Sequence, residues 1–317
     1  MPGLRRSPAC LSSLVFCAAS LAAPQENVES LIPPAPLNRS AADANIRQAF
    51  AANDLALAQK QIEELAARKP RSFESYFWAG YLALRQGKRY EAIRKLRQAE
   101  ALDSNPAVLK LLAVSYYAAR QHRLFLLEIR AAQQKQPADF APYYYLGRYY
   151  DSELADSVRA AEYFRQALAL QPGHIRSHYY LGHCYEVDQK TEQAEAEYRQ
   201  AAQLAERQGA NEGLPYQGLA RLRLSANRPA EALAFAKRAA ELESTDSAGH
   251  KLLARAYSDL GSNLEAAAEW KIASDLDPTD ASALYRLHRC YDLLGEAEKS
   301  RAALAQYRKI AALYGTN

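Results

Sequence analysis

The residues that could carry chemistry are few and poorly spaced for it. His178 and His183 lie five apart, which on a helix turns them by about 140° onto different surfaces, and neither belongs to an H-E-x-x-H pattern. His178 and His250 fall at the first large apolar place of two similar segments, where a packing histidine with satisfied nitrogens is the ordinary occupant. No G-x-S-x-G occurs, and Gly87-Lys88 runs into Arg89 at a turn between helices, so it cannot cradle a phosphate. Glu195 and Glu197 share one helix with no cleft expected around them. Cys184 and Cys290 are three repeated segments apart. At roughly 10 Å per helix layer they cannot reach the roughly 7 Å Cα separation that a disulfide requires. They read as small buried apolar residues. The expectation is a chain with no catalytic residue, no metal and no cofactor.

What positions the side chains is a helical repeat. In the stretch from Phe140 to His174, Tyr143, Leu146, Gly147 and Tyr150 fall at i, i+3, i+4 and i+7, one apolar stripe of a helix. Ala160, Phe164, Ala167 and Leu168 repeat the device, and Pro172 stops it. Gly147 and Ala160 stand where two helices must approach closely. A hairpin of this kind keeps an apolar flank that only neighbours can bury. Leu146-Gly147, Tyr150, Ala160, Phe164, Ala167 and Pro172, in this order and near a 34-residue period, resemble the tetratricopeptide repeat (TPR).

Similar patterns recur in approximate units 39–72, 73–105, 106–139, 140–174, 175–212, 213–246, 247–280 and 281–314. The resemblance implies an all-α, right-handed α-solenoid of about eight hairpins, with the first helix of each lining the concave face. The first unit has Asn45 where a large apolar residue belongs, which suits an end cap with a wet outer face. Phe125 replaces alanine in the third unit and should displace its second helix. The fifth unit carries an insertion, Ala205 to Glu212, and Arg223 replaces an aromatic in the sixth. In the last unit His288 and Tyr307 replace small residues, which argues against close packing of its helices. With no capping helix after Tyr314, Leu304, Tyr307, Ala311 and Tyr314 should form one exposed stripe, open to a partner or to a second copy in a homodimer.

Residues 1–22 read as a signal peptide, with Arg5 and Arg6 ahead of the apolar run Leu11 to Leu21 and small residues at Ser20 and Ala22. That run is too short to span a membrane, and Phe16 before Cys17 argues against a lipoprotein anchor. Residues 23–38, with Pro24, Pro33, Pro34 and Pro36, read as a disordered linker, and Asn38 heads a glycosylation pattern. The mature chain is therefore expected in a periplasmic or secreted location, with no transmembrane segment. Its net charge, +4 less the two signal arginines, is too balanced to imply nucleic acid.

The informative positions are those that the resemblance turns toward the concave face: Tyr144, Arg148, Tyr179, His183, Arg221, Lys251, Arg255, Tyr285 and Arg289. Aromatic faces and guanidinium forks suit an extended peptide or protein partner bearing carboxylates. Lys251 matches the lysine of the family's carboxylate clamp, but Arg255 stands where the clamp has asparagine. Two bland pairings compete, Arg148 with Asp151 and Arg289 with Asp292. The expected function is a non-catalytic interaction scaffold. The alternatives are a secretion or envelope assembly accessory acting through its convex face or last helix, and an α/α glycan-processing enzyme, which would need paired carboxylates across a pocket.

Overall fold

Helix starts and stops are written locally. Ser72, Asn105, Asp139, His174, Asp246 and Asp280 each accept a backbone N–H of the first turn that follows them, which satisfies donors that a helix start leaves open. Pro106 and Pro229 open their helices at the first position, where no N–H is needed. A computed structural model describes residues 41–314. Among these it contains sixteen helices and no strand. They are α1 (Ala41–Ala51), α2 (Leu55–Arg68), α3 (Phe73–Arg85), α4 (Arg89–Glu100), α5 (Pro106–Ala118), α6 (His122–Lys135), α7 (Phe140–Ser152) and α8 (Ser157–Leu170). There follow α9 (Ile175–Val187), α10 (Thr191–Gln208), α11 (Leu214–Ser225), α12 (Pro229–Leu242), α13 (Ser247–Asp259), α14 (Asn263–Leu276), α15 (Ala281–Leu293) and α16 (Ala297–Tyr314). The signal, linker and Asn38 expectations lie outside the described residues.

Each odd helix folds back on the next even one, and each even helix packs on the following odd one, so eight hairpins stack side by side in an α-solenoid. Every hairpin turn uses one residue at positive φ: Asn53, Gly87, Arg120, Ala155, Gln189, Asn227, Gly261 and Gly295. In seven of the eight, the following N–H bonds the carbonyl five residues back, as Lys190 does to Tyr185 at 2.8 Å. This is the bond that ties off the orphan carbonyls of a helix end.

Packing follows a small–large–small column on the even helices. Ala92, Leu96 and Ala99 are buried on α4, Ala160, Phe164 and Ala167 on α8, and Ala194, Tyr198 and Ala201 on α10. The large member presses on a glycine of the odd helix. A methyl group at Gly147 would lie 2.7 Å from the Phe164 ring, and one at Gly182 would lie 2.8 Å from Tyr198. Cys184 and Cys290 are free and buried, and burial pushes both thiols up.

Several local expectations meet a physical answer. Asn45 is exposed, while its neighbour Asp43 is buried and takes the Trp78 indole N–H at 2.7 Å, tying α1 to α3. The insertion lengthens α10 to eighteen residues, ended by Gly209 at φ 62°, and Glu212 returns to Arg176 at 3.1 Å. Arg223 replaces ring packing by ion pairs, with its Nη2 2.6 Å from Glu195 and its Nε 3.2 Å from Glu231. His288 and Tyr307 do not hold α15 and α16 apart. His288 Nδ1 meets the Ser300 hydroxyl at 2.8 Å, and Tyr307 packs on Tyr285 at 5.3 Å. The exposed terminal stripe does not form as expected. Ala311 is buried and Leu304 and Tyr307 are half-buried, while Leu313 is the exposed apolar residue there.

Candidate binding surface on the inner wall

Successive odd helices come within 8 Å of one another at α3–α5, α7–α9, α9–α11 and α11–α13, whereas successive even helices make no comparable approach. The odd helices therefore line the shorter, inner wall, and their side chains decide what that wall offers.

Two kinds of rung cross it. The first reaches from the fifth residue of a repeat unit to the residue capping the next odd helix. Lys110, itself buried, pairs with Asp139. Gln217 Nε2 donates to Asp246 at 2.8 Å, and Lys251 Nζ pairs with Asp280 at 3.0 Å. Tyr144 occupies the same place and packs edge-on against His174 at 5.0 Å. Burial, with Arg176 and His178 nearby, holds His174 down to about 4, so it caps α9 as a neutral acceptor. Each of these groups closes its own helix start as well as binding its neighbour.

The second rung joins the ninth residue of a repeat unit to the twelfth of the unit before. His183 Nδ1 lies 3.1 Å from Asp151. Arg221 forks onto Glu186, with Nε and Nη2 each at 2.7 Å from one carboxylate oxygen. The same Nη2 donates to the Tyr198 hydroxyl at 2.9 Å, and that hydroxyl donates to Glu186 at 2.6 Å. Burial pushes the Glu186 carboxyl up, but the Arg221 bonds outweigh it and hold the group below the ordinary carboxylate range.

The expected groove residues therefore divide. Tyr144, Arg148 and Tyr179 are buried at 2%, 5% and 8% exposure and do not present a binding surface. The Arg148 guanidinium lies 3.9 Å from the centre of the Tyr180 ring, a stacked cation–π contact. His183, Arg221 and Lys251 face the wall but are held by the next or preceding hairpin. At the C-terminal end the pairing gives out, because the twelfth places of units 213–246 and 247–280 hold Leu224 and Ser258 and no acid. Arg255 makes only a long contact with Asp259, at 3.7 Å. Arg289 is exposed and pairs with no carboxylate among the described residues. Tyr285 is 42% exposed. Asp292 turns to His288 and Ser300 instead of Arg289.

Sequence reasoning missed Tyr180, the platform for Arg148, and the capping aspartates as partners of the fifth residues. Spacing held the signal: Lys110 and Asp139, Gln217 and Asp246, and Lys251 and Asp280 are all 29 apart. His178 and His250 are held alike, Nδ1 by Glu197 or Glu269 and Nε2 by the carbonyl of Pro172 or Ser244. Among the described residues no three His, Cys, Asp or Glu side chains converge on one metal position. No helix there is long and apolar enough to cross a membrane.

The sequence profile of the tetratricopeptide repeat matches residues 44–106 and 153–211. No curated protein sequence matches the chain significantly. Among solved structures, a chain of the APC/C hetero-tetramer Cut9-Hcn1 is similar over 83% of this chain and 50% of its own, at 17% identity and a TM-score of 0.70. Yeast Tom70 is similar over 89% of this chain and 62% of its own, at 16% identity and a TM-score of 0.61. A tetratricopeptide repeat protein from Parabacteroides merdae is similar over 78% and 97%, at 16% identity and a TM-score of 0.59. This chain thus spans half to about three fifths of the Cut9-Hcn1 and Tom70 chains. At such identities the likeness is one of fold. With eight stacked hairpins, the glycine–aromatic contacts between their helices and two profile matches, this chain carries tetratricopeptide repeats within an all-α superhelical repeat fold.

Proposed function

We propose that the protein is a non-catalytic interaction scaffold, exported from the cytoplasm, which holds a carboxylate-bearing peptide or protein on the inner wall of its last two hairpins. A preformed curved wall gathers affinity from a few aromatic and arginine anchors while the remaining contacts exclude water. The observation that carries this reading is the division above. Arg148 and Arg221 are occupied within the fold, whereas Arg255, Arg289 and Tyr285 stand open on neighbouring helices. A guanidinium that holds no carboxylate of another hairpin is free to grip one from outside. The yeast Tom70 and Cut9-Hcn1 folds support a long array of this kind, and the second of these was solved as a hetero-tetramer. A homodimer through the last helix has less support, because Ala311 is buried and Tyr285 covers Tyr307.

The experiment is capture of partners from an extracytoplasmic extract by the wild-type chain and by Arg255→Glu with Arg289→Glu. Arg289 is exposed and the Arg255 side chain is 43% exposed, so helical content should be unchanged while capture is lost. Full capture by the double variant would overturn the reading.

A further inference from the structure

The outer wall carries a separate surface, on α6. Six of the other even helices place alanine where they meet their own hairpin partner, at Ala58, Ala92, Ala160, Ala194, Ala232 and Ala266, and α16 places Ser300 there, all buried. In α6 that place holds Phe125, whose ring lies 5.4 Å from Tyr117 and 5.3 Å from Tyr149. The ring sits between α5 and α7, against a tyrosine of each, and α6 packs on α7 less extensively than α4 on α5 or α8 on α9. A crevice runs along the outward face of α6, lined by Arg123, Leu124, Leu127, Arg130, Ala131 and Gln134.

Its chemistry is one-sided. Leu127 is 61% exposed. Arg123 and Arg130 lie one turn before and after it, both exposed, and neither pairs with a carboxylate among the described residues. Glu128, the single acid of α6, is turned inward, 3% exposed and 3.1 Å from Arg97. The surroundings share this bias. Residues 41–139 hold 16 Lys and Arg against 10 Asp and Glu, net +6, whereas residues 140–317 hold 21 against 24, net −3.

An apolar strip between uncompensated arginines seven residues apart, about 10 Å along the helix axis, matches an amphipathic helix with carboxylates at i and i+7. We propose that the α6 crevice docks an acidic amphipathic segment of a protein partner, its leucine-type side chains against Leu124, Leu127 and Ala131 and its carboxylates on Arg123 and Arg130. A nucleic acid would use the two arginines but would have no need of the apolar strip between them, and the vesicle competition below separates an anionic membrane from a protein segment. This site is independent of the inner wall and could hold a partner whether or not Arg255 and Arg289 do.

The test is fluorescence anisotropy with a labelled 18-residue helical peptide that has Leu along one face and Glu on both flanks. Two control peptides carry Lys for Glu and Ser for Leu. The acidic leucine peptide should bind at least about tenfold more tightly than either control. Leu127→Glu, and Arg123→Glu with Arg130→Glu, should each weaken it at least about tenfold, equivalent to roughly 1.4 kcal/mol of leucine burial or ion pairing. Arg255→Glu with Arg289→Glu should leave it unchanged. Leu127→Ser serves as a second variant, with circular dichroism to show that all of them fold. The proposal is overturned if the peptide does not bind, if the Leu127 variants bind equally, or if the Ser-for-Leu peptide binds as well. Phosphatidylglycerol vesicles that displace the peptide from wild type and Leu127→Glu alike would also overturn it.

Discussion

Arg221→Ala should destabilise the array far more than Arg255→Ala, although the two residues occupy the same place in successive hairpins. Arg221 gives two charge-assisted bonds to Glu186 and a third bond to Tyr198, all between 2.7 and 2.9 Å. The side chains of the ion pair are 31% and 19% exposed. A fully buried pair broken on one side costs about 3–5 kcal/mol, and partial exposure reduces this to roughly 2–3 kcal/mol. Removal also leaves the Glu186 carboxylate half-buried without its cation. Arg255 holds one exposed carboxylate at 3.7 Å within its own helix, which is worth about 0–0.5 kcal/mol. Urea unfolding at neutral pH, followed by circular dichroism, measures both. Because stability in a stacked array is nearly a sum of hairpin and interface contributions, the loss should appear between α9 and α11. Hydrogen exchange should quicken there first. Equal costs for the two variants, or a cost below about 0.5 kcal/mol for Arg221→Ala, would refute the division of the inner wall into occupied and open arginines.

Gly147→Ala should cost about 1–3 kcal/mol, because its methyl would meet the Phe164 ring at 2.7 Å; adding Phe164→Leu should recover part of the loss in the same denaturation assay. Gln189→Gly should stabilise by up to about 1 kcal/mol, since glutamine there sits at φ 60°; a lower urea midpoint would contradict it. Burial pushes the His178 imidazole down, but the bonds to Glu197 and the Pro172 carbonyl outweigh it and leave its affinity for a proton raised. Its stabilising contribution is therefore complete below the unfolded value of about 6.5 and is lost as pH rises through the folded value. The wild type should lose stability over that rise, and His178→Gln should lose less; parallel pH profiles would contradict this.

The repeat was legible because its signal is periodic and local. Gly147, Phe164 and the alanines of each second helix are read directly from spacing, and the structure stacks them as that spacing requires. The turn at Gly87 was equally plain, whereas Arg120, Ala155 and Gln189 adopt the same left-handed conformation without a glycine to announce it. The inner wall was harder to read. Helix phase shows which residues point inward, but it does not show that Arg148 lies beneath a neighbouring tyrosine or that Glu186 belongs to Arg221 35 residues away. Those pairings depend on the rotation between hairpins, which only three dimensions supply. Phe125 was recognisable as an intruder in its helix, and the crevice beside it was not.

A photo-crosslinking amino acid at position 285, with a second version at the outward Leu170 on α8, reports on the inner wall at a single site. If the last two hairpins hold the partner, crosslinks should form from position 285, disappear when Arg255 and Arg289 become glutamate, and be absent from position 170. Crosslinks that survive the double substitution, or that arise equally from both positions, would contradict an inner wall whose open arginines grip a carboxylate-bearing chain.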